Sequence, residues 1–143
     1  MCPLIQPGMT LLDVGCGSGI LSIAAAKLSG ITTIRCLDVD HEARRVTAEN
    51  AADNGVSDRI EILEGILTHR TPRAELVVAN ILPHILLRLR GGLVTATVPG
   101  GLLLLSGIGL REERELTRVF SADLQPRGRR ELDGWVALLF EHG

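Results

Sequence analysis

The chain, 143 residues long, predicts an α/β fold: a mainly parallel sheet flanked by helices and closed by a C-terminal antiparallel hairpin. Three observations predict it. Short apolar runs alternate with helix-period segments from end to end, a glycine-rich turn joins the first run to the first helix, and Asp133-Gly134 separates the last two runs.

Each element has its own signal. Thr10 to Val14 is a short apolar strand, and Ile20 to Leu28 is a helix stopped by Ser29-Gly30. Thr32 to Leu37 is a second strand that ends at Asp38-Val39-Asp40. Asp40 is a helix N-cap, after which Ala43, Val46, Thr47, Asn50 and Ala51 recur at helical spacing until Asn54-Gly55 closes the helix. Arg59 to Leu63 alternates as a third strand, and Glu75 to Ala79 is an apolar fourth. Pro83 suits a helix's first turn, and Gly91-Gly92 is expected to interrupt that helix halfway. After the turn Pro99-Gly100-Gly101, Leu102 to Ser106 predicts a strand buried on both faces. Glu112 to Ala122 is a helix with Leu116, Val119 and Phe120 on one face. Leu124 to Glu131 and Trp135 to Phe140 flank the hairpin turn.

Composition narrows the function classes. A hydrophobic fraction of 45% with 22% charged residues describes a folded chain, and with Trp135, Phe120 and Phe140 as its aromatics the core must be aliphatic. A net charge of -2 lacks the electrostatic footprint of a nucleic-acid binder. Arg127, Arg129 and Arg130 are expected in a solvated turn and not at a phosphate site. Cys2, Cys16 and Cys36 have no metal-ligand spacing and read as reduced cysteines of a cytoplasmic protein, so no metal is expected. No apolar run approaches the ~20 residues of a membrane span, and Met1-Cys2-Pro3-Leu4 lacks the regions of a signal peptide. The chain is read as one domain over residues 1–143, entered just before its first strand.

Four segments can carry chemistry. Asp13-Val14-Gly15-Cys16-Gly17-Ser18-Gly19, between strand and helix, predicts a pocket of backbone N–H groups for an anionic group or a nucleoside cofactor, or else a tight turn without ligand. Dinucleotide loops want a third glycine where Ile20 stands, and the Gly15-x-Gly17-x-Gly19 spacing suits a cofactor ending in an amino acid. Asp38, 19 positions after Gly19, is either a ribose ligand or a turn acid. Glu64-Gly65-Ile66-Leu67 is a place for an adenine ring or a plain loop. Asn80 ends the fourth strand at the edge where ligands of such sheets bind, with Ser106-Gly107-Ile108 facing the same edge. Its amide either accepts from a substrate amine or satisfies backbone. His84 reads as structural or solvent-facing, and no nucleophile–base pair points to a hydrolase.

The segment Asp13 to Ala25 resembles the first motif of class I S-adenosylmethionine-dependent methyltransferases. Leu37-Asp38-Val39-Asp40, Glu49-Asn50-Ala51 with Asn54-Gly55-Val56, Val78-Ala79-Asn80-Ile81-Leu82, Leu105-Ser106-Gly107-Ile108 and Gly134-Trp135-Val136 resemble the ribosomal protein L11 methyltransferase branch, collinear over about residues 10–140. The resemblance implies a Rossmann-like methyltransferase sandwich and S-adenosyl-L-methionine as cofactor. It implies cofactor binding by Asp13, Gly15, Cys16, Gly17, Gly19, Asp38, Val39, Gly65, Ile66 and Asn80, with Asn80 also orienting the accepting amine. Ribosomal protein L11, or another protein amine, is then the substrate. The family's N-terminal recognition domain and its Gly-Thr-Gly-x-His-x-Thr-Thr segment are expected to be missing here. Ile66 stands where many relatives carry an acid, and Gly91-Gly92 where their helix is continuous. The rival expectations are a cofactor-binding module without activity and a methyltransferase of RNA or small molecules; Ile20 disfavours a nicotinamide oxidoreductase.

Overall fold

The computed structural model describes residues 5–31 and 33–143, so Cys2, the start Met1-Cys2-Pro3-Leu4 and Thr32 lie outside the described residues. The chain divides into two compact units, Met1–Ile66 and Leu67–Gly143.

The first unit runs β1 (Thr10–Val14), α1 (Ile20–Leu28), β2 (Thr33–Asp38), α2 (His41–Asp53), a 3-10 turn at Ser57–Arg59 and β3 (Ile60–Glu64). Its strands are parallel in the order β3-β2-β1. Val14 pairs with Leu37 and Asp38 with Glu64, so the carboxyl ends of all three strands fall at one edge. Leu11, Leu12, Ile34 and Cys36 are sealed in the core. Helix α1 buries Ile23 together with Ser22, Ala25 and Ala26, three small side chains that let a helix lie close to strands. Helix α2 starts where the sequence predicts: Asp40 Oδ1 accepts the Glu42 N–H at 3.0 Å. It buries only Thr47 and Ala51, and Arg45 pairs with Glu42 and Glu49 on its outer face.

The second unit runs β4 (Ala74–Asn80), α3 (Pro83–Arg88), α4 (Arg90–Ala96), β5 (Thr97–Gly109), α5 (Leu110–Phe120), β6 (Gln125–Leu132) and β7 (Trp135–Glu141). Its strand order is β4-β5-β7-β6, with β4 and β5 parallel and the other two pairings antiparallel. Asp133 and Gly134, at φ 52° and 81°, form the tight hairpin turn whose twist suits the flanking strands. Phe120 of α5 meets Phe140 of β7 with ring centroids 5.8 Å apart, the aromatic centre of an otherwise aliphatic core.

Three expectations are corrected. Helix α3 ends at Arg88 with Leu89 as its C-cap, before the glycine pair, and Gly91-Gly92 lie inside α4. Gly92 serves close packing, because a Cβ there would stand 2.8 Å from Leu67 Cδ2. Leu103 and Leu105 of β5 are buried while Leu102 and Leu104 are half-exposed, so the strand alternates and is not buried on both faces. The arginines Arg127, Arg129 and Arg130 stand in β6, an edge strand exposed at every residue, and not in a turn. Arg127 pairs with Glu141, and Arg129 with Glu113 and Glu131, so charge pairing across strand and helix outweighs the low strand propensity of that segment.

Candidate functional site

The first unit carries a folded loop between β1 and α1. Gly15, Gly17 and Gly19 all take left-handed backbone, at φ 72°, 57° and 81°, which explains why glycine recurs at every second position. The loop is less of an N–H cradle than the sequence predicts. The N–H groups of Gly15 and Cys16 both reach Leu37 O, at 2.7 and 3.3 Å. Gly17 N–H donates to Asp38 Oδ2 at 3.0 Å, and Gly19 N–H to Cys16 O at 2.8 Å. Among the described residues Ser18 N–H finds no protein acceptor, and no side chain caps the first turn of α1. Backbone satisfaction inside the loop therefore outcompetes display toward a ligand.

Asp38 sits at the carboxyl end of β2 and binds two parts of the chain. Its Oδ2 holds Gly17 N–H, and its Oδ1 accepts Asp40 N–H at 2.9 Å. Each oxygen keeps a free lone pair for a further donor. The turn-acid and ligand roles are thus compatible, while Asp40 is the helix cap. Val39 and Ile66 follow the ends of β2 and β3 and expose 66% and 67% of their surfaces. Gly65, at φ 105°, has open space where a Cβ would stand. Two apolar side chains and an unobstructed backbone at one strand edge form a surface suited to a flat ring.

Beneath the loop lies a buried polar cluster. Asp13, 1% exposed, accepts from Ser22 Oγ at 2.8 Å, and the Cys36 thiol donates to the same Oγ at 3.1 Å. Burial raises the Asp13 pKa to about 6, against the hydrogen bond from Ser22 and with the help of the Asp38 charge. Cys16 is also directed inward. Its neighbour Cys36 holds the Cys16 thiol below the ordinary range, while Cys16 and burial push the Cys36 thiol up. Asp13 and Cys16 therefore support the loop from below, whereas Gly17, Gly65, Asp38, Val39 and Ile66 face outward.

Sequence reading missed Thr47 and Asn50, counting both simply as the inner face of α2. Thr47 is fully buried and donates to Gly17 O at 2.8 Å, with Cys16 Sγ 3.6 Å away. Asn50 Nδ2 donates to Ser18 O at 2.9 Å. The one signal was a polar pair three residues apart on that face.

In the second unit Asn80 ends β4 and pairs in register with Ser106 of β5. The pairing of β5 with β7 slips between Leu105 and Ile108, a bulge that contains Gly107 at φ 74°. A Cβ at position 107 would collide with Asn80 Oδ1, so this glycine leaves the space that the amide occupies. Asn80 is exposed, and Ser106 and Gly107 adjoin it as the sequence predicts. His84 is exposed in the first turn of α3. Among the described residues no His, Cys, Asp and Glu cluster could hold a metal ion, and no helix is long and apolar enough to cross a membrane.

Comparisons with known proteins converge on one family. The family model for ribosomal protein L11 methyltransferase (PrmA) matches residues 3–142. A ribosomal protein L11 methyltransferase of Xylella fastidiosa (strain 9a5c) is 41% identical over 133 residues, covering 92% of this chain and 42% of that protein. Its counterpart from Geobacter sp. (strain M21) is 44% identical over 130 residues, 91% of this chain and 42% of that protein. The chain thus spans less than half the length of these relatives. The crystal structure of ribosomal protein L11 methylase from Lactobacillus delbrueckii subsp. bulgaricus superposes with a TM-score of 0.88 at 30% identity, over 97% of this chain and 72% of that one. The mainly parallel sheet with its antiparallel C-terminal hairpin is therefore the Rossmann-like methyltransferase architecture, and the chain belongs to the ribosomal protein L11 methyltransferase (PrmA) family.

Proposed function

We propose that this chain is the cofactor-binding, catalytic part of an S-adenosylmethionine-dependent methyltransferase that acts on amino groups of ribosomal protein L11. The observation that carries the reading is the bond between Asp38 Oδ2 and Gly17 N–H, which joins the glycine loop to the acid at the end of β2. The residues fit the cofactor. Asp38 has two lone pairs for ribose hydroxyls, Val39 and Ile66 offer exposed apolar surface to an adenine ring, and no atom lies within 4 Å of a Cβ built on Gly17 or Gly65.

When bound, S-adenosylmethionine supplies an electrophilic methyl group on a sulfonium whose departure leaves a neutral thioether. The chain's own residues then have little acid–base work. Asp38, Val39, Gly65 and Ile66 hold the nucleoside, and Gly15, Gly17 and Gly19 leave room for the methionine portion. Asn80 accepts a hydrogen bond from the substrate amine through Oδ1 and so aims its lone pair. Orientation of this kind supplies up to roughly 7 to 11 kcal/mol of a barrier, which suits a chain with cofactor motifs and no nucleophile–base pair. A ribosomal acceptor places the activity in the cytoplasm.

Isothermal titration with S-adenosylmethionine, followed by labelled-methyl transfer to purified ribosomal protein L11, tests the proposal. Binding with transfer is expected. Absence of binding at high micromolar cofactor overturns the whole reading. Binding without transfer overturns the catalytic half and leaves a cofactor-binding module.

A further inference from the structure

Helix α2 grips the glycine loop from the side opposite its open face. Thr47 Oγ1 donates to Gly17 O at 2.8 Å, and Asn50 Nδ2 donates to Ser18 O at 2.9 Å. These are consecutive carbonyls, taken by two side chains one helical turn apart. A peptide group is rigid and planar, with its C=O and N–H pointing in opposite directions. Fixing Gly17 O against α2 therefore turns Ser18 N–H away from α2. Ser18 N–H is also the loop amide that finds no protein acceptor among the described residues, and Ser18 is exposed. The same threonine packs closely on the loop's far end, where a Cβ on Gly19 would stand 2.8 Å from Thr47 Cγ2, so glycine is needed there for the approach.

We propose that Thr47 and Asn50 are positioning residues for the cofactor: they hold the Gly17 and Ser18 carbonyls against α2 and so present Ser18 N–H and the open side of Gly17 to the bound nucleoside's amino-acid tail. This rests on the cofactor reading above. A loop arranged before binding spares the ligand the entropy of ordering it, so the two side chains act on affinity without touching the ligand.

Thr47→Val removes the hydroxyl and keeps the shape, Thr47→Ser keeps the hydroxyl, and Asn50→Ala removes the exposed donor. Each is titrated with S-adenosylhomocysteine, and amide hydrogen exchange of residues 15–19 is followed without ligand. Thr47→Val and Asn50→Ala are each expected to bind roughly three- to tenfold more weakly, and Thr47→Ser to stay within about twofold of the parent. Loop amides should exchange faster in the first two variants only. In methyl-transfer assays KM for the cofactor should rise while kcat at saturation holds, a split that general destabilisation does not produce. Parent-like affinity and loop exchange in folded Thr47→Val overturn the proposal. Should the parent itself bind no S-adenosylhomocysteine, the cofactor reading fails; the exchange data then show only whether the grip exists, and the proposed role in binding falls with that reading.

Discussion

Two acids near the loop have opposite surroundings. Asp38 is half-exposed and holds two backbone N–H groups, whereas Asp13 is sealed under the loop against Ser22. Removing the Asp38 carboxylate deprives Gly17 N–H of its acceptor as well as any ribose of its partner. Asp38→Ala should weaken S-adenosylmethionine binding by roughly 1 to 3 kcal/mol, read by titration calorimetry, and unchanged affinity would refute the assignment. Asp13 predicts a pH effect. Its pKa rises from 3.8 to about 6 on folding, chiefly through burial, so the folded chain holds this proton more tightly than the unfolded one. Its contribution is therefore favourable at low pH, declines as pH climbs from about 4 to 6, and above that range amounts to a penalty of at most about 3 kcal/mol. Asp13→Asn removes the titration and can still accept from Ser22. Urea midpoints of parent and variant should diverge in the variant's favour across that window, and a constant difference would rule the effect out. Asp38 and Gly17 are legible in the sequence because their spacing follows from strand and turn lengths. The load on Asp13 is not, because burial beneath a loop leaves no local pattern.

Helix α1 and strand β1 match the sequence reading to the residue, since an apolar run, three glycines and an alanine-rich stretch fix their ends locally. Two element contacts were beyond that reading. Gly19 lets α1 begin against α2: Gly19→Ala combines a left-handed φ of 81° with a Cβ 2.8 Å from Thr47 Cγ2. The backbone alone costs roughly 1 to 2 kcal/mol, and the clash adds to it. Thr47→Ser, which deletes that methyl group, should recover part of the loss in the double variant; strict additivity of the denaturation energies would show that the two residues do not touch. The bulge of β5 is the second contact. Gly107→Ala puts a methyl group where Asn80 Oδ1 lies, so methyl transfer should fall sharply while cofactor affinity stays near the parent's. Equal losses of both would reassign the bulge. Such contacts join residues about 27 and 28 positions apart, a distance that helix and strand periods do not report.

Across the whole molecule, alternation of elements was the most legible property, and it predicts the sheet, its direction and the terminal hairpin. Burial was harder to read. Leu102 to Leu105 look uniformly apolar, yet only every second residue is sealed, because a run of leucines conceals the two-residue period of a strand. The Gly91-Gly92 pair looks like a helix break, yet both lie inside α4 and Gly92 serves as a seat for Leu67. The strand over Leu124 to Glu131 is read from the sequence, but the arginine cluster within it reads as a turn because its residues favour solvent; partners on α5 and β7 from elsewhere in the chain hold it in the strand.

That last strand bears on the protein's colloidal behaviour. Strand β6 ends the sheet order of its unit, and an edge of this kind is a template on which another chain can add. The exposed side chains of Arg127, Arg129 and Arg130, with the glutamates that pair two of them, would have to be desolvated before a second copy could pair with this edge. Replacing Arg129 and Arg130 by valine removes the Arg129 ion pairs but supplies strand-forming side chains, so β6 should persist and its edge turn adhesive, with light scattering that grows with protein concentration. A doubly substituted protein that stays monodisperse at high concentration would show that these charges do not guard the edge. In the parent, charged side chains along this edge are expected to keep it from serving as a template for a second copy.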